Sequence, residues 1–315
     1  MIYDLPSNFY DTLDQKYQVA VENDDIKFNG GSAINNLEQQ KVGNSTFNYQ
    51  ITLLSSLMHR PEKGSKEANP FEKPEKELTI LDTFGPDDEF KIVFNKFPVV
   101  PRHFMMITRE FKSQDTPLSP SELIGTYTLL NRVKNDSKEN WFAFYNSGPQ
   151  SGASQPHKHI QFMTLPDGFK TYGEQLAQTS APFIPNQKNE PLQNKDLPFA
   201  HFAAPLPPNE LDLEHEDLTM YFVSLLQRCL TVLKQNGAKD ISYSFIMTTD
   251  YMMLVPRSNG VYKNTIGVNS CGYVGLFLCK NKETQSLVNN DGPFTILESC
   301  GFPNTAGEPV DEYHY

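Results

Sequence analysis

The chain of 315 residues is poor in cysteine and in net positive charge, and it has no long apolar run. Its four cysteines, Cys229, Cys271, Cys279 and Cys300, include no CxxC pair, so neither a disulfide framework nor a four-thiolate zinc site is indicated. A reducing compartment fits such usage. Lys and Arg number 27 against 38 Asp and Glu, a formal charge of −11, which repels nucleic acid unless positive charge is gathered locally. No stretch approaches the roughly 18 consecutive apolar residues that cross a bilayer. The opening MIYDLPSNFYDTLDQKYQ has acids where a secretory signal needs a basic start. A soluble protein of the cytoplasm, with the nucleus also open to it, is expected, with neither nucleic acid nor membrane as partner.

The length suits one large domain or two compact ones and suffices for a substantial core. The first 90 residues are polar and turn-rich, and His59–Pro74 reads as a long surface loop. Phe90–Val100, a Pro101-Arg102 turn and His103–Thr108 read as a hairpin. Ser119-Pro120-Ser121-Glu122 has the form of a capping box with Pro at the first helical position, opening a helix to about Lys134. Asn140–Tyr145 predicts a buried strand, and after the loop NSGPQSGASQP extended structure resumes over His157–Leu165. Glu216–Asn236 has helical periodicity closed by Gly237, and Ile241–Thr249 with Met252–Arg257 reads as another strand pair. Strand pair and long helix thus occur in both halves, in different order and without a residue-level repeat. The expected organisation is an amino-terminal part over 1–170, an irregular connection over 171–208, and a carboxy-terminal part over 209–315 completing the same globular unit.

The chemistry is concentrated in Tyr145–Leu165. Side chains alternate across an extended strand, so His157, His159 and Gln161 share one face while Lys158, Ile160 and Phe162 share the other. Upstream, Asn146, Ser147, Gly148 and Ser151 to Gln155 supply hydroxyls, small side chains and backbone N–H groups that a polyphosphate can approach closely. The combination suggests an anion cradle that presents phosphorus to a histidine. Arg60, Lys63, Lys66, Lys96, Lys158 and Lys280 would then form a positive funnel on an acidic body. A His-x-His strand can also chelate zinc, but no third or fourth ligand stands nearby.

This segment resembles the histidine-triad superfamily in its transferase branch, His-x-His-x-Gln, and more closely the fungal diadenosine tetraphosphate phosphorylases, or ATP adenylyltransferases. The likeness extends to ELT at Glu77–Thr79, NKFPV at Asn95–Val99, FYNSGP at Phe144–Pro149, EPLQ at Glu190–Gln193, FAHF at Phe199–Phe202, VPR at Val255–Arg257 and CGFPNT at Cys300–Thr305. It implies an α+β fold of the HIT-like, galactose-1-phosphate-uridylyltransferase-like kind, an antiparallel sheet with flanking helices. It also implies reversible phosphorolysis of diadenosine tetraphosphate to ATP and ADP through an AMP-histidine intermediate, with adenosine 5′-phosphosulfate as a further adenylyl donor. No cofactor is implied for the covalent chemistry, although a divalent cation such as Mg2+ would accompany the polyphosphate.

By this resemblance His159 is the nucleophile, His157 orients it or steadies phosphate oxygens, and Gln161 donates a neutral hydrogen bond to the adenylate. Asn146, Gly152, Ala153, Ser154 and Gln155 would surround the phosphates, and Asn95 and Lys96 would meet the nucleotide. Asn269, Ser270, Cys271, Leu276 and Lys280 would come from the carboxy-terminal part. Arg60 stands where the family has Lys, which keeps the charge and changes its geometry. A hexose-1-phosphate uridylyltransferase and a non-catalytic dinucleoside polyphosphate binder are the competing readings.

Overall fold

The computed structural model describes residues 3–28, 30, 33–54, 69–178, 190–208 and 213–308. In chain order these form α1 (Phe9–Glu22), β1 (Ile34–Val42), β2 (Ser45–Leu53), β3 (Thr79–Phe84), β4 (Phe90–Phe94), β5 (Phe104–Thr108) and α2 (Pro120–Ser137). Then follow β6 (Trp141–Ser147), β7 (His159–Thr164), α3 (Tyr172–Ala177), β8 (Phe202–Pro205), α4 (His215–Gln235), β9 (Tyr243–Met247) and β10 (Tyr251–Pro256). The chain continues through β11 (Val261–Tyr262), β12 (Ile266–Gly267), α5 (Ser270–Val274), β13 (Leu276–Cys279), α6 (Lys282–Asp291) and α7 (Pro293–Cys300). Arg60, Lys63 and Lys66, and most of the expected 59–74 loop, lie outside the described residues.

Eight strands form one sheet in the order β3-β4-β5-β7-β6-β9-β10-β8, every neighbouring pair antiparallel. The α+β class follows directly. Strands of the first half and the second half meet at the β6–β9 pair, so one sheet runs through both halves of the sequence. On one face, Ile160 and Phe162 of β7 join Phe104, Tyr145, Phe245 and Leu254 in a core shared with Leu13 of α1, Leu129 of α2 and Leu225 of α4. On the other face, Phe142, Phe144, Ile246 and Val255 pack with Tyr172, Tyr273 and Leu297 from α3, α5 and α7. A second, three-stranded sheet of order β1-β2-β13 contributes Phe47, Ile51 and Phe277 to that layer. Beside this layer the sheet carries only a small cluster of Phe71, Val93, Met105 and Ile107. The histidine face of β7 lies beside this cluster, with Phe71 packed against both His157 and His159.

The local signals account for several elements. Ser119 accepts from the Glu122 N–H while the Glu122 carboxylate accepts from the Ser119 N–H, a reciprocal cap on α2 worth about 1 kcal/mol. The hairpin β4–β5 turns at Arg102, whose φ is 56°. Helix α4 ends at Asn236, and Gly237 takes the left-handed conformation with φ 65°.

Two expectations are corrected here. The stretch 171–208 is not wholly irregular, because it holds α3, whose first turn is capped by the Thr171 hydroxyl, and β8, which edges the large sheet against β10. Extended structure does not resume as regular strand at His157: that residue makes only a single bridge to Ser113, and β7 starts at His159.

Candidate active site

Strands β6 and β7 pair from Trp141↔Thr164 to Phe144↔Gln161 and then part. The cause is Gln114, a buried amide from the loop before α2. Its Nε2 donates to the Asn146 carbonyl at 2.9 Å and to the His159 carbonyl at 3.3 Å, while its Oε1 accepts the His159 N–H at 2.8 Å. One side chain thus substitutes for the missing rung and fixes the backbone of His159. Tyr145 holds the same loop by donating its hydroxyl toward the Gln114 and Thr116 carbonyls. Gln114 was not among the sequence candidates, because nothing local in SQDTP marks an amide that will enter a strand gap.

His159 is 3% exposed. Its Nδ1–H donates to the His157 carbonyl at 2.8 Å, which leaves the lone pair on Nε2. No described residue hydrogen-bonds that nitrogen. Burial holds the ring's pKa down to about 4; the bond to the His157 carbonyl opposes the shift and the neighbouring His157 charge adds to it. The imidazole is therefore neutral at neutral pH, the form that attacks phosphorus. Phe71 packs beside it, with ring centroids 5.1 Å apart.

His157 has both ring nitrogens engaged. Nε2 donates to the Thr108 carbonyl at 2.8 Å, so Nδ1 accepts from the Asn69 amide at 2.8 Å. Phe71 and Phe111 stand against its ring, with centroids 5.9 and 5.4 Å away. Its connection to His159 runs through its carbonyl, which supports the orienting role rather than contact with phosphate. At Gln161, Oε1 accepts from His103 Nε2 at 3.0 Å, and the amide N–H groups have no acceptor among the described residues. Asn95 lies against the same His103 nitrogen at 3.5 Å. His103, also absent from the candidates, sits on the turn side of β5, where one buried histidine gives no signal in sequence.

From the β6–β7 loop, Gly148 and Gly152 take φ of 84° and 82°. A Cβ on Gly152 would stand 2.6 Å from the Val268 carbonyl oxygen, so only glycine lets the loop touch the 268–271 segment. Ala153 and Gln155 follow half-buried and Ser154 exposed. Asn146 reaches the same segment, its Oδ1 accepting from the Ser270 N–H at 2.9 Å and the Ser270 hydroxyl at 2.6 Å. Asn269 caps α5 by accepting from the Cys271 N–H at 3.0 Å. Asn269, Leu276 and Lys280 line a cavity of about 220 Å³ with Val268, Gly272 and Thr284. Asn146 and Gly152 thus both meet the 268–270 segment, and Gln114 ties Asn146 to His159, while His159 itself does not line that cavity.

Of the expected funnel, Lys158 does not belong to it and Lys96 already has a surface partner. Lys158 faces the helix layer, where its Nζ, buried, meets Glu122 at 2.7 Å and the Pro117 carbonyl at 2.7 Å. Burial lowers its pKa and Glu122 pulls it back up. Strand alternation sends it to the face opposite His159, and its charge is already matched. Lys96 is half-exposed and ion-paired with Glu75 at 2.6 Å. Among the described residues no group of three or more His, Cys, Asp and Glu could hold a metal ion. No helix among them is long and apolar enough to cross a membrane.

The motifs away from the strand assemble with one another. Phe199 bridges Pro303, Asn304 donates to the Asn194 and Leu197 carbonyls, and Thr305 donates to Gln193.

An antiparallel α+β frame with a His-x-His-x-Gln strand beside a glycine-bearing loop defines a protein of the histidine-triad type. More narrowly, residues 20–181 match the model of the Ap4A phosphorylase N-terminal domain, and residues 195–303 that of the ATP adenylyltransferase C-terminal domain. The chain belongs to the Ap4A phosphorylase/ATP adenylyltransferase family. It is 36% identical to the Saccharomyces cerevisiae protein APA1 over 99% of both chains. It is also 36% identical to diadenosine 5′,5′′′-P1,P4-tetraphosphate phosphorylase 2 of the same yeast, over 92% of this chain and 95% of that one. The crystal structure of yeast Ap4A phosphorylase Apa2 in complex with Ap4A superposes with a TM-score of 0.84 at 33% identity, covering 96% of this chain and all of that one.

Proposed function

We infer that this chain is a nucleotidyltransferase that splits diadenosine tetraphosphate with orthophosphate into ATP and ADP, reversibly. The observation that carries the reading is a buried, neutral His159 whose Nε2 no described residue claims. The family and the Ap4A complex of the yeast relative support the substrate.

Nε2 of His159 attacks the α-phosphorus of one adenylate, a P–N bond forms, and the P–O bond to the other half breaks, releasing ATP. A phosphate oxygen then attacks the same phosphorus, the P–N bond breaks, and ADP leaves with His159 restored. The Nδ1–H bond to the His157 carbonyl steadies positive charge on the ring during both steps. Gln161 offers its amide N–H groups to the adenylate, and Gly152 to Gln155 with Asn146, Asn269 and Ser270 form the walls for the phosphates. A divalent cation such as Mg2+ would come as part of the polyphosphate substrate. Adenosine 5′-phosphosulfate presents the same adenylate with sulfate as leaving group, and we read it as a second donor. Four buried free thiols suit a cytoplasmic or nuclear site of action.

Mass spectrometry of the protein mixed with diadenosine tetraphosphate, without phosphate, tests the reading. An AMP adduct on His159 is the expected result, and phosphate should convert it to ADP. Tight binding with no adduct and no product would return the chain to the class of non-catalytic binders. AMP in excess over ADP at millimolar phosphate would make it a hydrolase.

A further inference from the structure

Arg257, at the end of β10, is 1% exposed and spends all five N–H donors inside the protein. Nε donates to the Cys300 carbonyl at 3.1 Å, and Nη1 to the Ser151 carbonyl and the Ser244 hydroxyl, both at 3.0 Å. Nη2 donates to the Asn259 carbonyl at 2.9 Å and the Val268 carbonyl at 2.7 Å, and the group lies 4.7 Å from the Tyr273 ring centroid. Every partner is neutral, and no carboxylate among the described residues lies within ion-pair distance. A guanidinium keeps its proton in proteins, so a full positive charge sits in the interior without a counter-charge among the described residues, whereas buried charges are ordinarily paired.

Two of its acceptors stand at telling places. Ser151 immediately precedes Gly152, and Val268 immediately precedes Asn269. In a trans peptide the carbonyl and the following N–H point in opposite directions, and the described chain has no cis bond. Pinning the two carbonyls on Arg257 therefore aims the Gly152 and Asn269 N–H groups away from it. Neither N–H has an acceptor among the described residues. Gly260 lies beside the first of them, where a Cβ would stand 3.3 Å from the Gly152 nitrogen.

We propose that the phosphate chain of the bound nucleotide is the counter-charge of Arg257, met through the Gly152 and Asn269 N–H groups whose peptide dipoles Arg257 orients. The proposal rests on the nucleotidyltransferase reading above. Arg257 is then a positioning residue: it ties the two walls of the cradle together and places a fixed charge behind them.

Calorimetric binding of adenosine, AMP and α,β-methylene-ATP to the wild type, Arg257→Gln and Gly260→Ala tests it, because the methylene bridge prevents adenylyl transfer. In Arg257→Gln adenosine should bind as in the wild type, AMP a few-fold weaker and α,β-methylene-ATP about tenfold weaker or more, about 1.4 kcal/mol. Gly260→Ala keeps the charge and covers one N–H, so it should show the same ordering with smaller ratios. An equal loss for all three ligands, or no loss, in Arg257→Gln would overturn the proposal and leave Arg257 a structural tie. Should Arg257→Gln fail to fold, a flat profile in Gly260→Ala overturns it equally. A wild type that binds none of the three would overturn the nucleotide reading itself.

Discussion

His159 and His201 are held in the same way and differ at one nitrogen. Each is buried, and each donates Nδ1–H to the carbonyl two residues earlier, His157 and Phe199, at 2.8 Å. Each packs against a phenylalanine, Phe71 and Phe199, and burial holds both rings to a pKa of about 4. The difference is at Nε2. In His201 it accepts the Asn194 N–H at 2.8 Å, which fixes the EPLQ segment on FAHF, whereas in His159 no described residue claims it. Burial and tautomer alone do not make a nucleophile; the same lock serves as a structural pin wherever the second nitrogen is occupied.

The largest test of this contrast is a pair of substitutions. His159→Asn should lose turnover by several orders of magnitude, as loss of a covalent nucleophile does, while remaining folded. His201→Asn should keep kcat per folded molecule but unfold at lower urea, with about 1–3 kcal/mol lost for the stranded Asn194 N–H. A matching loss of kcat in both variants would break the distinction.

A smaller effect is expected at Gln114, which has no counterpart near His201. Gln114→Glu places a carboxylate against two carbonyls, so the His159 backbone should shift and kcat fall about 100-fold with KM for the dinucleotide nearly unchanged. Single-turnover adenylylation is the measurement, and an unaltered rate would show that the strand gap needs no wedge.

The smallest effects come with pH. A histidine whose folded pKa lies below its unfolded value of about 6.5 binds its proton later in the folded protein, so stability is complete above pH 6.5 and falls as pH drops toward 4. Each ring contributes up to about 3 kcal/mol to that fall. The wild type should therefore lose more stability than His201→Asn over this window in urea titrations at pH 7, 5.5 and 4. Adenylylation without phosphate should show no titration near pH 6.5, and a midpoint there would place His159 in a wetter setting than its burial implies.

What could be read beforehand follows the range of each interaction. Alternation along a strand sorted His157, His159 and Gln161 from Lys158, Ile160 and Phe162, because the rule needs only neighbouring residues. The cap at Ser119 and the left-handed Gly237 are equally local. The partners of those side chains are not: Glu122, which takes Lys158 out of the phosphate funnel, is 36 positions away from it, and Gln114 lies 45 from His159. Strand β13 pairs with β2 through Leu276↔Gln50, a contact no periodicity announces. Strand β8 and helix α3 were hidden in a Pro- and Gln-rich stretch, with four and six residues of their own and stability drawn from neighbours.

The Gln114 wedge also separates two tasks that adjoining strands usually share. Because the side chain grips Asn146 and His159 directly, the loop from Gly148 to Pro156 is not what sets the distance between the strands it connects. Exchanges around Ala153 to Gln155 leave the His159 backbone where Gln114 holds it. Loop and ring can therefore change separately, the one at its exposed Ser154, the other only by way of Gln114.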